Sequence, residues 1–217
     1  ALYQQAGLME VPTVPALLET VRVMATQPVL DGPRVAVITN SRSPGILAHA
    51  ALEAAGLTPI DGPTPLDWSA TAADYPAAIR DALASDDVDG VMVIYAPAVV
   101  EDVDAAARDI DAAAAGATKP VVAVLLGGAD GPVTPGSPVP AFTFPEQAAA
   151  VLGRSHGYAR WRRNEADAPP DVARPVNPAA AHAIISAAVA DVDEADAAGE
   201  AQIDLDTKRR LLHAYGI

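Results

Sequence analysis

The stretch Val35-Ala36-Val37-Ile38-Thr39-Asn40-Ser41-Arg42-Ser43-Pro44-Gly45 carries the first decisive signal. Five consecutive apolar or β-branched residues make a short strand with no polar alternation, so both of its faces must be covered. Residues 40–45 then supply turn formers, and residues 46–55 give a helical run closed by Gly56. Strand, turn and helix in that order open a parallel α/β sheet.

The alternation continues downstream. A weak strand at 57–60 and a Pro- and Asp-rich loop at 61–69 precede a helix over 72–85, which Thr71 can cap. Val91-Met92-Val93-Ile94-Tyr95 is the clearest strand. A helix over 101–115, acidic at its start and stopped by Gly116, leads to a buried strand at 121–126. After a loop rich in Gly and Pro at 127–140, Phe142-Thr143-Phe144 reads as a last short strand, and Pro145-Glu146 opens a helix reaching Arg163. Five strand signals joined by helices predict an α/β, doubly wound, parallel five-stranded sheet in the flavodoxin-like order 2-1-3-4-5.

Outside this block the pattern changes. Residues 1–30 read as a segment leading in from a preceding domain. Thr13 suits an N-cap, Pro15 a first turn, and Leu17, Leu18, Val21, Met24 and Ala25 recur at helical spacing. Beyond Arg163, Pro169, Pro170, Pro175 and Pro178 mark a linker. Asn177-Pro178 can start a helix that buries Ile184, Ile185 and Val189. An acidic tract at 190–200 reads as exposed, and residues 205–215 form a final helix stopped by Gly216. The expected division is 1–30, 31–163 for the flavodoxin-like domain, and 164–217 for a linker with helices.

Composition narrows the function. With 28 acidic against 14 basic residues, net −14, the chain lacks the basic surface that neutralises nucleic-acid phosphates or anionic membranes. It has no cysteine, which excludes disulfides, thiolate metal sites and cysteine nucleophiles and is compatible with a cytoplasmic location. The start lacks a charged region followed by an apolar run, so it is not read as a secretory signal, and no apolar run approaches the ~18–20 residues of a spanning helix. Hydrophobic residues make up 51% but aromatics only 4%. Much of the apolar content is therefore alanine, and the Val, Ile and Leu runs must build the core.

In an open parallel sheet, ligands bind beyond the carboxyl ends of the strands at the switch in strand order. That places the candidate site at the turn after the first strand. Asn40, Ser41 and Ser43 offer polar side chains, Arg42 positive charge and Gly45 close backbone approach. A helix N-terminus behind them directs free N–H groups at an anion. The same residues equally suit an ordinary serine-capped helix start. No G-x-G-x-x-G, G-x-x-x-x-G-K-[ST] or G-x-S-x-G pattern is present. His49, His156, His182 and His213 show no metal-ligand spacing, so neither a metal site nor a catalytic residue is assigned. His49 reads as a helix-surface residue. His156 with Arg154, Arg160, Arg162 and Arg163 reads as a basic last turn, Trp68 and Trp161 as packing residues, and Asp86, Asp87 and Asp89 as a turn.

These pieces, in order, resemble the central region of NDP-forming acyl-CoA synthetases, relatives of succinyl-CoA synthetase, and the synthetase-like part of certain protein acetyltransferases. Ala6-Gly7-Leu8 with Val11 is similar to the family segment after its phosphohistidine loop. Residues 35–45 resemble a strand and N-A-G-G-P-G turn, and Thr64-Pro65-Leu66-Asp67-Trp68 an N-P-x-D motif. Leu211-Leu212-His213-Ala214-Tyr215-Gly216-Ile217 resembles the L-L-x-x-Y-G-I helix leading into an ATP-grasp domain. The resemblance implies a parent enzyme using CoA, ATP or ADP and Mg, with CoA-binding, phosphohistidine and ATP-grasp domains as partners in the same polypeptide, and a possible homodimer. It implies no cofactor held by this chain alone. Asn40, Ser41, Arg42, Ser43 and Gly45 would help hold the phosphohistidine loop. Arg42 and Ser43 stand where the family has paired glycines, and Thr64 where it has Asn. Those departures suit a second reading, a non-catalytic regulatory module. A third is a free-standing flavodoxin-like domain that binds a small molecule.

Overall fold

The computed structural model describes residues 7–97, 103–167, 176–190 and 203–217. Ala6, Glu101, the prolines at 169, 170 and 175, and the acidic tract at 191–200 lie outside the described residues. The chain divides into two compact units, Ala1–Ala166 and Asp167–Ile217.

In the first unit, α1 (Val14–Thr26) precedes β1 (Arg34–Thr39), α2 (Arg42–Ala54) and β2 (Thr58–Asp61). A 3₁₀ turn (Ala72–Asp74) runs into α3 (Tyr75–Ala84), followed by β3 (Gly90–Tyr95), α4 (Val103–Ala114) and β4 (Val121–Leu125). Then come β5 (Gly131–Pro132), β6 (Pro140–Phe142) and α5 (Pro145–Asp167). The sheet order is β2-β1-β3-β4-β6-β5. The expected doubly wound parallel arrangement holds, with one addition: β5, a two-residue strand, pairs antiparallel to β6 at the edge. Two residues from a Gly/Pro-rich loop carry no strand periodicity, so the sequence shows only five strands. The last parallel strand also lies earlier than expected, at 140–142 instead of 142–144, because Thr143 turns its N–H and hydroxyl to the Asp130 carboxylate.

β1, β3, β4 and β6 are buried, whereas β2 and β5 at the sheet's two edges are only partly covered, and the residues of the central strands alternate between two cores. Ala36, Ile38, Val91, Val93, Tyr95, Val121, Ala123 and Leu125 meet Tyr75, Ile79 and Ile110 from α3 and α4. Val35, Val37, Met92, Ile94, Val122 and Val124 meet Val23, Leu52, Ala149 and Leu152 from α1, α2 and α5. Alanines on the helices let them approach the sheet closely, and the branched strand residues supply most of the buried aliphatic area. Gly56 and Gly116, expected as helix stops, adopt φ of 76° and 73°, values that favour glycine.

Helix α1 forms where expected, with Thr13 Oγ1 accepting from the Ala16 N–H, but its burial is not the one its apolar residues suggest. It buries Thr20 and Val23 and leaves Leu17, Leu18 and Val21 exposed. The second unit pairs α6 (Pro178–Ala190) with α7 (Leu205–Ala214). Asn177 Oδ1 caps α6 by accepting from Ala180 N–H at 2.9 Å, and the Asn177 N–H donates to the Ala214 carbonyl at 2.8 Å. Ala181 and Ala214 are buried, whereas Ile184 is half-buried and Ile185 and Val189 are exposed, contrary to expectation. Two helices alone offer only a narrow seam, and small alanines fill it.

At the amino end of the sheet, Asp89 is an anchor that the sequence presents only as part of an acidic turn. Its carboxylate accepts from the Arg34 backbone N–H (2.9 Å), Nε (3.0 Å) and Nη2 (2.9 Å), while the Asp89 N–H donates to the Arg34 carbonyl at 2.8 Å. The start of β1 is thereby fixed beside the start of β3. A side chain at Gly32 would collide with this carboxylate. The Arg34 hydrogen bond, partly opposed by burial, holds the Asp89 carboxyl below its usual range. The pair therefore contributes stability above the ordinary carboxylate range, near pH 4, and loses it as pH falls through the lower folded value. Asp89→Asn is expected to lower stability at neutral pH, with the difference from wild type shrinking toward about pH 3. Urea unfolding at both pH values checks this, and an equal difference at both would contradict it.

Candidate functional site

The carboxyl edge of the sheet is where β1 and β3 end side by side while their following helices leave to opposite faces. This is the switch point at which doubly wound sheets bind ligands. The turn after β1 is shorter than expected, because α2 starts at Arg42 with Ser41 as its N-cap. Proline is compatible with a first helical turn, so Pro44 continues the helix instead of delaying it.

Asn40 sits at the end of β1 and is only 7% exposed. Its amide Nδ2 donates to the Ala96 carbonyl at 3.0 Å, and its Oδ1 accepts from the Ala96 N–H at 3.1 Å. This reciprocal pair ties the end of β1 to the residue that follows β3. The Asn40 N–H donates to Tyr75 Oη at 3.0 Å, and that hydroxyl donates to the Ile94 carbonyl at 2.9 Å. Tyr75 is fully buried and packs edge-on to Tyr95, with centroids 5.5 Å apart. Asn40 is thus occupied by the protein itself and braces the turn.

The remaining candidates lie in the first turn of α2. Ser41 is half-buried, and its N–H donates to Thr39 Oγ1 at 3.1 Å, while Thr39 Oγ1 donates to the Ser41 carbonyl at 3.2 Å. Ser41 makes no side-chain cap. Arg42 and Ser43 are exposed. Their backbone N–H groups are first-turn donors with no carbonyl of their own helix to meet. Pro44 has no N–H, and the Gly45 N–H donates to the Ser41 carbonyl at 3.3 Å. The mouth therefore offers two adjacent amides, the Arg42 guanidinium and the Ser43 hydroxyl, at the positive end of a 13-residue helix. Gly45 is buried, and a Cβ there would come within 3.1 Å of Thr39 Cγ2, so the glycine lets α2 start close against β1.

The 64–69 loop lies beside this mouth: the Ala70 carbonyl is 3.5 Å from Asn40 Nδ2. Ser69 donates its hydroxyl (2.6 Å) and N–H (2.8 Å) to Asp67 Oδ1, which holds the Asp67 carboxyl below its usual range. Trp68, expected to pack, is 86% exposed. Trp161 does pack, stacking on Tyr158 at 5.7 Å. The basic run lies in the body of α5, not in its last turn as expected, and apart from exposed Arg160 it is taken up by structure. Arg154 donates to Thr20 Oγ1, Arg163 binds Asp31, Arg162 lies over the Tyr158 ring, and His156 is buried with Nδ1 3.3 Å from the Leu30 carbonyl. His49 lies on the helix surface as expected, 3.5 Å from Asp61. Among the described residues no group of three His, Cys, Asp or Glu could hold a metal, and no helix is long and apolar enough to cross a membrane.

Tyr75 is the residue sequence reading missed. It stands in an alanine-rich helix of a chain with 4% aromatics, and that isolation was the available signal. Its hydroxyl contact with Asn40 spans 35 residues of sequence and has no local signature.

The strand order and the braced turn define a doubly wound, flavodoxin-like α/β domain with its open edge at the β1/β3 switch. The chain is similar to the acetate–CoA ligase [ADP-forming] I subunit alpha of Pyrococcus furiosus, 25% identical over 187 residues, covering 75% of this chain and 40% of that protein. The fold is shared with a dinucleotide forming acetyl-coenzyme A synthetase 1 of Ca. Korarchaeum cryptofilum. Its apo form matches with a TM-score of 0.66 at 21% identity, over 77% of this chain and 43% of that one. Its complex with phosphate and ADP matches with a TM-score of 0.65 at 23% identity, over 77% and 42%. A Pyrococcus horikoshii OT3 protein matches with a TM-score of 0.62 at 22% identity, over 73% and 43%. No family model matches the chain. The resemblance to NDP-forming acyl-CoA synthetases, read from the motifs, is borne out by these relatives. The chain spans about 40% of the length of the curated relative.

Replacing Tyr75 by Phe leaves the buried Asn40 N–H and the Ile94 carbonyl without that hydroxyl. Tyr75→Phe is expected to cost about 1–3 kcal/mol in urea unfolding. A change below about 0.3 kcal/mol would show that the brace contributes little.

Proposed function

We propose that this chain is the flavodoxin-like part of an NDP-forming acyl-CoA synthetase, where the first turn of α2 receives a phosphoryl group carried on a loop of another domain. The observation that supports this most is that exposed Arg42 and Ser43 open α2, with first-turn N–H groups that no carbonyl of their own helix meets, next to the Asn40 brace at the switch point. A dianionic phosphoryl group needs N–H donors and positive potential, and both are present there. Arg42 adds a charge-assisted donor and Ser43 a hydroxyl, while Asn40, Ser41 and Gly45 set the geometry.

In this reading the parent uses CoA, ATP or ADP and Mg, and its CoA-binding, phosphohistidine and ATP-grasp domains are the partners. A cytoplasmic location goes with it. In this reading no step is routed through the metal on this chain. The chain's task is to hold the phosphorylated loop, and the covalent chemistry belongs to the other domains. Arg42 and Ser43 also support a second reading. Side chains where the family has glycines narrow the backbone approach, which suits a regulatory module that binds a phosphorylated metabolite without turnover.

The purified chain is expected to form no acyl-CoA from a carboxylic acid, CoA and ATP. In ¹⁵N-resolved NMR, added inorganic phosphate is expected to shift the Arg42 and Ser43 amides first, and Arg42→Ala to weaken that response about tenfold. Phosphate shifts confined to other residues would overturn the proposal.

A further inference from the structure

Tyr75 buries a hydroxyl that packing does not require. The residue is 1% exposed in a core that includes Ala36, Ile38, Ile79 and Tyr95, and a phenylalanine ring would fill the same volume. A hydroxyl taken out of water costs stability unless it is hydrogen-bonded. Here it accepts from the Asn40 N–H at 3.0 Å and donates to the Ile94 carbonyl at 2.9 Å. Both partners are main-chain groups at the carboxyl edge, since Asn40 follows the last residue of β1 and Ile94 is the last but one of β3. The oxygen therefore fastens the start of α3 to the ends of two strands at the switch point.

Two walls of the α2 mouth meet at this point. Arg42 opens α2 two residues after the N–H that Tyr75 holds. The 64–70 loop arrives from the other side. Its Ala70 carbonyl is 3.5 Å from Asn40 Nδ2, and just beyond it the Thr71 N–H and hydroxyl donate to Asp74 Oδ2 at 2.8 and 3.0 Å, next to Tyr75 in the chain. Apolar packing alone is non-directional and lets an element slide by fractions of an ångström, whereas a hydrogen bond fixes distance and angle. A binding site needs its donors held to within about 0.5 Å by such supporting contacts.

We propose that Tyr75 is a positioning residue for the phosphoryl seat, acting through Asn40: its hydroxyl sets where the Arg42 and Ser43 N–H groups stand, and with that the affinity of the seat. This rests on the phosphate reading above and extends it to a side chain that never touches the ligand. Without the oxygen, the Asn40 N–H and the Ile94 carbonyl lose the partner they share. The end of β1 then has to shift or admit water to satisfy them, and the first turn of α2 moves with it.

The test is a titration of inorganic phosphate into the ¹⁵N-labelled full chain, in sucrose so that every form stays folded. Wild type is compared with Tyr75→Phe and with Ile110→Val, a destabilising change in the same core that leaves the brace intact. Tyr75→Phe is expected to weaken phosphate binding, read at the Arg42 and Ser43 amides, about five- to tenfold. Ile110→Val is expected to stay within about twofold of wild type. A residue that acted through stability alone would leave the affinity of the folded protein unchanged. Equal affinities in wild type and Tyr75→Phe overturn the inference and leave the phosphate reading standing, and so does an equal loss in Ile110→Val. A wild type whose Arg42 and Ser43 amides ignore phosphate overturns that reading and this inference with it.

Discussion

The hydrogen-bonded brace at the carboxyl edge is the constraint on which the rest of the structure turns. Where β1 and β3 separate, their helices depart to opposite faces and leave main-chain groups that no ladder can satisfy. An unpaired buried amide or carbonyl costs about as much as a lost hydrogen bond, so the fold needs a polar group of the right length there. Asn40 supplies both a donor and an acceptor to Ala96, and the Tyr75 hydroxyl closes the remaining gap between the Asn40 N–H and the Ile94 carbonyl. The brace also sets the direction of the next residues. Asn40 is fixed, Gly45 is seated against Thr39, and α2 begins at Arg42, so the first-turn N–H groups at this edge have no carbonyl of their own helix to meet.

The opposite end of the same two strands is pinned by a different device. Arg34 and Asp89 exchange side-chain and backbone hydrogen bonds across β1 and β3. Between the two ends the strands carry only apolar residues, split by their alternation into two cores. Packing thus holds the middle of the sheet, and a few polar contacts fix its ends, where packing has no grip. The open carboxyl edge is thereby held by hydrogen bonds where packing does not reach.

The strand–helix order was legible because buried parallel strands are short, unbroken apolar runs, as Val91 to Tyr95 shows. The position of the open edge followed from that order. What could not be read was anything decided by contacts distant in sequence. Asn40 looked like a ligand and is a brace, because its partners at 75 and 96 are known only once the chain has folded. His156 and Arg154 read as part of a basic last turn and instead lie within the helix, bonded to Leu30 and Thr20, partners more than a hundred residues away in sequence. Helix α1 shows a different limit: period 3.6 finds an apolar stripe but cannot say whether that stripe faces this chain's core or another surface. Trp68 makes the same point in a loop, since an aromatic residue reads as packing whether or not something is there to pack against.

The central claim is that the edge between β1 and α2 is a seat for a phosphoryl group. A crystal structure of the chain grown in inorganic phosphate tests it most directly. The account predicts phosphate density within hydrogen-bonding distance, about 3 Å, of both the Arg42 and Ser43 amide nitrogens, with Asn40 still paired to Ala96. Phosphate bound elsewhere with this mouth empty, or a mouth filled by the protein's own side chains, would contradict it.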